Sequence, residues 1–374
     1  MPAEPTHSLS APDLDLLYRL ALPSAYPVPQ GTPNRPSKRP VPGTGPYRIA
    51  SYEPGRRVRA VRNERFEPWA GAAQPGGYPD VIEWKPGSTG DDNVDAVEEG
   101  QADLYFDNPP EGSVGRLAID YPGQLHINPG RNTFFLFLNT ARAPFTSLAA
   151  RRAVNYALDR RRAVALAGGP AVARPTCQGL PPNFPGYRRH CPYPFDLETA
   201  RRLVTSSGTK GERVAVLTAR GDSTFEQQAR YAASVLRRLG YRVSVEFLPI
   251  GRYFEAVFAP RSRAQIGFVA WFADYASAFG FIRSNFSCGA VGFANASQLC
   301  DRSLDRAMKA AGAAEVANPQ AAAERWAAID RRITRLAPWV ALYNATNVHF
   351  VSKRVGNYQY NPQWGVLLDQ LWVK

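Results

Sequence analysis

The densest group of residues able to do chemistry is Trp271-Phe272-Ala273-Asp274-Tyr275, one carboxylate among three aromatic rings. A desolvated carboxylate is costly unless it meets a cation. The segment can therefore be a binding point for a positively charged group. Equally, Asp274 can cap a helix or turn the chain by accepting backbone N–H groups. The residues alone leave both readings open. Catalytic signals are sparse. His7, His126, His190 and His349 have no partner at metal-ligand spacing, and no G-x-S-x-G elbow, Walker loop or H-E-x-x-H is present. Gly43-Thr44-Gly45 reads as a turn. Asp91-Asp92 reads as the acidic first turn of a helix. The expectation is a binding protein and not an enzyme, with no metal and no cofactor.

Four cysteines fall into two local pairs. Cys177 and Cys191 bracket a proline-rich loop, and Cys288 and Cys300 bracket GAVGFANASQL. Neither pair has C-x-x-C spacing. His190 beside Cys191 offers a third metal ligand, but a fourth has no local source. Two loop-closing disulfides are preferred to a metal site or free thiols, and they imply an oxidising compartment.

Arginine and lysine number 45 against 32 aspartate and glutamate, a net charge of +13 over 374 residues. The arginines come as scattered doublets, such as Arg56-Arg57, Arg151-Arg152 and Arg237-Arg238. No single segment gathers them into a stripe with interleaved aromatics, so solvated helix faces are preferred to a nucleic-acid surface. At 44% hydrophobic and 21% charged, the composition is that of a folded protein of about two domains. No apolar run approaches the roughly 18 residues of a membrane helix. The N-terminus has no basic segment followed by an apolar one, so no signal peptide is read in it.

The elements that must position these residues change in character along the chain. Residues 1–43 read as an extended lead-in. Pro46 to Tyr52 and Val58 to Asn63 form a hairpin around Glu53-Pro54-Gly55. Short strands follow at Val81 to Trp84, Ala102 to Phe106 and Phe134 to Leu138, with a helix at Asp91 to Glu99. Helices open at Ser147, Asp159 and Asp196. Ser223-Thr224-Phe225-Glu226 reads as a capping box for a helix to Leu239. Strands at Arg213 to Ala219, Tyr241 to Leu248 and Gln265 to Trp271 alternate with helices. This predicts parallel strands with helices on both faces. Ligands in such sheets sit beyond the carboxyl ends of the strands, which singles out Arg220, Pro249 to Gly251 and Phe272 to Tyr275. Helices at Leu304 to Ala311 and Gln320 to Leu336 precede a strand from Trp339 to Ala345.

Taken in order, GTGPYRIASYEPGRRVRAVRNERF, DAVEEGQADL, FFLFLNT with PF and RRAVNYALDRR, and WFADY resemble the extracytoplasmic solute-binding proteins of oligopeptide and dipeptide ABC transporters. The resemblance runs from about Asp15 to the C-terminus. It implies a periplasmic-binding-protein-like α/β fold of type II, two lobes with mixed sheets and a hinge, closing over a ligand. The first lobe is drawn at 1–139, completed by 346–374, and the second at 140–345. The resemblance implies that Asp274 pairs with a peptide's α-amino group, with Trp271, Phe272 and Tyr275 beside it. It also implies a disulfide between Cys288 and Cys300. Arg220 is added on topology alone, as a cation for the peptide carboxylate, against the plainer reading of a surface arginine. The Ala276-Ser277-Ala278 run departs from the family, where a second acid and a proline often follow.

The family carries a longer segment before GTGPY, so a fragment with an incomplete first lobe is expected, its membrane anchor absent from this chain. The implied function is capture of a short peptide or similar small solute outside the cytoplasm, at the periplasm or outer face of the membrane. The expected partners are that solute and ABC permease subunits, with no nucleic acid. A ligand-sensing domain of a larger regulatory protein is the alternative.

Overall fold

The computed structural model describes residues 9, 13–35, 39–72, 75–87 and 89–374. His7 lies outside them. The chain divides into two compact units, a larger one of 1–19 and 131–345 and a smaller one of 20–130 and 346–374. The first division falls within a short helix, α1 (Leu16–Leu20).

In the smaller unit, β1 (Tyr47–Glu53), β2 (Arg57–Arg62) and β3 (Val81–Trp84) form an antiparallel sheet in the order β1-β2-β3. Gly55, at φ +73°, makes the hairpin turn. None of the residues in these strands is buried. The helices α2 (Gly90–Glu98) and α3 (Glu111–Asp120) flank β4 (Leu104–Tyr105), and β5 (Leu125–Pro129) follows. Thr89 and Asp92 close a capping box at the start of α2. Val94, Val97, Leu117 and Phe350 make up the buried apolar cluster.

The larger unit begins with β6 (Asn132–Leu138), α4 (Leu148–Ala157), α5 (Arg160–Leu166) and β7 (Ala173–Pro175). The helix α6 (Leu197–Ser206) precedes β8 (Arg213–Ala219), α7 (Ser223–Arg238), β9 (Arg242–Leu248), α8 (Ile250–Phe258) and β10 (Ile266–Phe272). Three helices, α9 (Ala278–Phe286), α10 (Arg302–Ala317) and α11 (Pro319–Leu336), lead to β11 (Trp339–Val351). The strand order is β11-β6-β10-β8-β9. The strands β8, β9 and β10 run parallel, with Ala219 opposite Leu248 and Ile266 opposite Val216. The pair β6–β10 is antiparallel.

Alternation along β6 explains why both faces of this sheet are dry. Leu136 and Leu138 enter one core with α4, α6 and α7, while Phe135 and Phe137 enter the other with α8, α9 and α11. Because β6 pairs with β10 from Asn132 to Leu138, it belongs to the larger unit. The division therefore falls at Gly130, nine residues before the Asn139 boundary drawn from sequence. Nor is the start of α7 a Ser223 capping box. Asp222 caps it, accepting from the Phe225 N–H at 3.1 Å, while Glu226 accepts from the Gly221 N–H at 3.1 Å.

Both disulfides lie in the larger unit, joining Cys177 to Cys191 and Cys288 to Cys300. Buried charges bolt its loops. Asp330 accepts from Gln178 and from the Gly179 and Leu180 N–H groups, and Arg160 donates to the carbonyls of Thr176 and Ala341.

Candidate functional site

The strand β10 ends at Phe272 beyond the level of β8, and the chain turns through Ala273 to Tyr275 into α9. The N–H of Ala273 is held by the Arg131 carbonyl at 2.8 Å. The turn is closed by the N-cap of α9, and that cap is Ser277, whose Oγ accepts from the Gly280 N–H at 3.0 Å. Asp274 is therefore not the helix cap. Its side chain is exposed and makes no hydrogen bond or ion pair among the described residues. The carboxylate is left free for a ligand.

The neighbours of Asp274 are fixed from below. Trp271 is half-buried against the core of α8 to α11. Phe272 is 60% exposed and meets Phe134 edge-on, with centroids 5.5 Å apart. The Tyr275 hydroxyl donates to Asp15 Oδ2 at 3.2 Å, and its ring stacks on Tyr18 at 5.1 Å. Burial and the Asp15 carboxylate push the Tyr275 phenol up to about 12. Asp15 is 3% exposed, and burial raises its carboxyl above the usual range, against the pull of Ser277 and Tyr275. A Cβ added at Gly280 would lie 3.2 Å from Tyr275 Cε2 and 3.3 Å from Asp15 Oδ2, so this close packing depends on glycine.

Trp271, Ala273, Asp274, Tyr275, Phe281 and Ser284 line a niche of about 40 Å³. That is far below the several hundred Å³ of a site enclosing a whole small ligand, so the niche suits a small charged group such as an ammonium and not a whole peptide. A cavity of about 640 Å³ lies in the smaller unit between residues 29–35 and 39–42 on one side and Ile49, Tyr52 and Val58 on the other. Among the described residues its charged lining is Arg35 and Arg39, with no carboxylate to meet a ligand amine.

The structure does not bring Arg220 to this niche. The register of β8 against β10 sets Arg220 level with Ala270, four residues short of Asp274, or about 13 Å along a strand. Its N–H donates to the Leu248 carbonyl at 2.7 Å. Its charge acts on Glu226, whose carboxyl is lowered first by the Gly221 N–H, then by Arg230, with a smaller part from Arg220. Asp15 and Tyr18 were missed from sequence. The available signal was the interruption of the apolar run Leu14 to Leu22 by Asp15, Tyr18 and Arg19. Among the described residues, no three His, Cys, Asp or Glu side chains are grouped to hold a metal ion, and no helix is long and apolar enough to cross a membrane.

Residues 6–293 match the family model of the bacterial extracellular solute-binding proteins, family 5 middle region. Heme-binding protein A of Haemophilus influenzae is 23% identical over 345 residues, covering 89% of this chain. The chain spans 59% of that relative's length. Among solved structures, clavulanic acid biosynthesis oligopeptide binding protein 2 superposes with a TM-score of 0.88 at 23% identity, covering 97% of this chain and 69% of that one. The periplasmic binding protein DppA of Helicobacter pylori, associated with an ABC transporter and solved with the peptide STSA, gives 0.74 at 21% identity, covering 90% and 64%. These likenesses establish the fold, that of a type II periplasmic binding protein.

Proposed function

Because the chain belongs to family 5 of the bacterial extracellular solute-binding proteins, we propose that it captures a short peptide or similar small solute outside the cytoplasm for delivery to ABC permease subunits. The family consists of binding proteins, not enzymes. The observation that carries the reading is the free carboxylate of Asp274 at the mouth of a niche sized for one charged group. The half-buried Trp271 shields one side and strengthens an ion pair by excluding water. The names of the relatives span heme and peptides, and the ammonium-sized niche favours a ligand with a free amine. Two disulfides suit an oxidising, extracytoplasmic setting.

Arg220 completes the pocket only for a longer ligand. A dipeptide spans about 7 Å, short of the offset between Arg220 and Asp274, whereas four extended residues approach it. Titration calorimetry with tetrapeptides tests the reading. Asp274→Ala should cost about 2–5 kcal/mol for a peptide with a free amine, because the ammonium is left unpaired. The N-acetylated peptide should lose far less. Equal losses for both peptides would mean that Asp274 supports the fold and does not read the amine.

A further inference from the structure

The opposite edge of the same sheet carries a second, unassigned feature. Arg213 and Arg242 stand directly opposite each other at the amino ends of β8 and β9. Arg263 lies three residues before β10, and the Val216–Ile266 register sets it level with Arg213. Gln265 pins that placement: its Nε2 donates to the carbonyls of Arg213 and Ala143, and its Oε1 accepts from the Ala215 N–H. Three arginines thus lie side by side across adjacent strands, at about 5 Å spacing.

Other segments extend this row. Arg237 and Arg238 end α7. The stem of Lys210 packs over Gly240, Arg142 reaches the Ser262 carbonyl at 3.4 Å, and Arg261 turns the chain at φ +59°. All eight cations are exposed. The guanidinium of Arg242 holds the Gly211 carbonyl at 2.7 Å, and that of Arg237 holds the Val243 carbonyl at 3.1 Å. These bonds fix the side chains without neutralising them. Among the described residues, none of the eight forms an ion pair. Glu212 is the one carboxylate in the contributing segments. Neutral solvated helix faces are laced with i,i+4 pairs, as in Glu198–Arg202 and Glu226–Arg230 on α6 and α7. This belt has none.

We propose that this edge of the larger unit is a docking surface for an anionic phospholipid membrane. Arginines side by side across three strands present charge density, which suits a plane of phosphate headgroups. Phe293, 73% exposed, lies in the loop closed by Cys288 and Cys300, next to Gly292, which packs on Pro260 beside Arg261. One rigidly held aromatic beside clustered arginines fits the boundary between headgroups and acyl chains. A single-stranded nucleic acid would need several stacking aromatics along the belt. The proposal does not depend on the niche at Asp274, which lies at the other end of the strands.

Vesicle co-sedimentation tests it. The chain should bind vesicles of 30% phosphatidylglycerol in phosphatidylcholine, fail to bind pure phosphatidylcholine, and be released by 0.5 M salt. Replacing Arg213, Arg237, Arg238 and Arg242 by Gln should weaken binding at least tenfold. Replacing Arg189, Arg306, Lys309 and Arg325, which are exposed and free of ion pairs, removes the same charge elsewhere. That control should weaken binding less than about threefold. Circular dichroism checks folding of both quadruple variants, and Phe293→Ser, which leaves the belt intact, should weaken binding about threefold. Absence of binding to the anionic vesicles, or equal losses in the two quadruple variants, would overturn the proposal. Capture by immobilised poly-glutamate without vesicle binding would assign the surface to an acidic protein and overturn it as well.

Discussion

The larger and smaller units reach stability by different routes. In the larger unit, one sheet is covered on both faces, with Trp326, Phe268, Phe286 and Tyr253 almost fully enclosed. The smaller unit has four residues in its buried apolar cluster and a three-stranded sheet with no buried residue. Polar contacts do more there. His126 and His349 face each other across β5 and β11, and Tyr358 stacks on His126 at 3.7 Å. The Asn128 amide donates to the Tyr358 oxygen at 2.9 Å, and the Tyr358 hydroxyl donates to His349 Nδ1 at 3.0 Å. Charge is also divided unevenly. The larger unit holds 31 Lys and Arg against 17 Asp and Glu, the smaller 14 against 15. The whole excess of positive charge therefore sits on the unit with the deep cores. Packing can bear that self-repulsion, whereas a unit held by hydrogen bonds to neutral histidines depends on pH instead.

The largest test of this contrast is a pair of truncations. Phe268→Ala empties a site enclosed between β10, α7 and Tyr343, and should cost about 3–5 kcal/mol in urea unfolding. Ile49→Ala, on the exposed sheet of the smaller unit, should cost under about 0.5 kcal/mol. Equal costs would break the comparison. Next come the disulfides, which close loops of 14 and 12 residues and should each contribute about 3 kcal/mol, all to the larger unit. Thiol titration of the unfolded oxidised chain should find no free thiol. Reduction should lower the unfolding midpoint of the larger unit and leave protection of the His126–Tyr358 contact unchanged.

The smallest effect sharpens the role of pH. Burial holds His349 at about 4, below its ordinary 6.5, with His126 adding to the lowering. The folded state binds the proton less readily than the unfolded one. Its stabilisation is therefore complete above pH 6.5 and is lost as pH falls towards 4, by about 2 kcal/mol once the roughly 3 kcal/mol of the full difference is discounted for residual solvent screening. Hydrogen exchange of residues 352–374 should rise over that window before the larger unit opens. His349→Phe should narrow the window to the part that the buried His126 contributes, and an unchanged acid response in that variant would place the titration elsewhere.

The parallel part of the fold was legible because β8, β9 and β10 are apolar runs separated by strongly patterned helices. Their carboxyl ends pointed to Asp274 from topology alone. The local geometry around Asp274 was not. The sequence Ala278 to Phe286 has a glycine and three phenylalanines, residues weak in helix propensity, so a helix after Asp274 stood only as an alternative role for that residue, and neither its bounds nor its Ser277 cap could be assigned. Helix α3 was hidden for a related reason, having Gly112 and Gly115 in its interior. Asp15 comes to Tyr275 from far along the chain, and no local pattern encodes that pairing. The arginine belt is similar. Residues 142, 210–213, 237–242 and 261–263 look like scattered doublets until β8, β9 and β10 align their ends.

Gly280 places a limit on how this protein can diversify. A methyl group at residue 280 would press on the ring of Tyr275 and an oxygen of Asp15 at 3.2 and 3.3 Å, tighter than ordinary contact. Any larger residue there must move the tyrosine, and with it the wall of the niche beside Asp274. Ligand preference can therefore be retuned from the underside, by a change that never touches the ligand. A designer seeking a roomier or tighter niche would begin at this glycine and vary residue 275 with it, since neither position can be optimised alone.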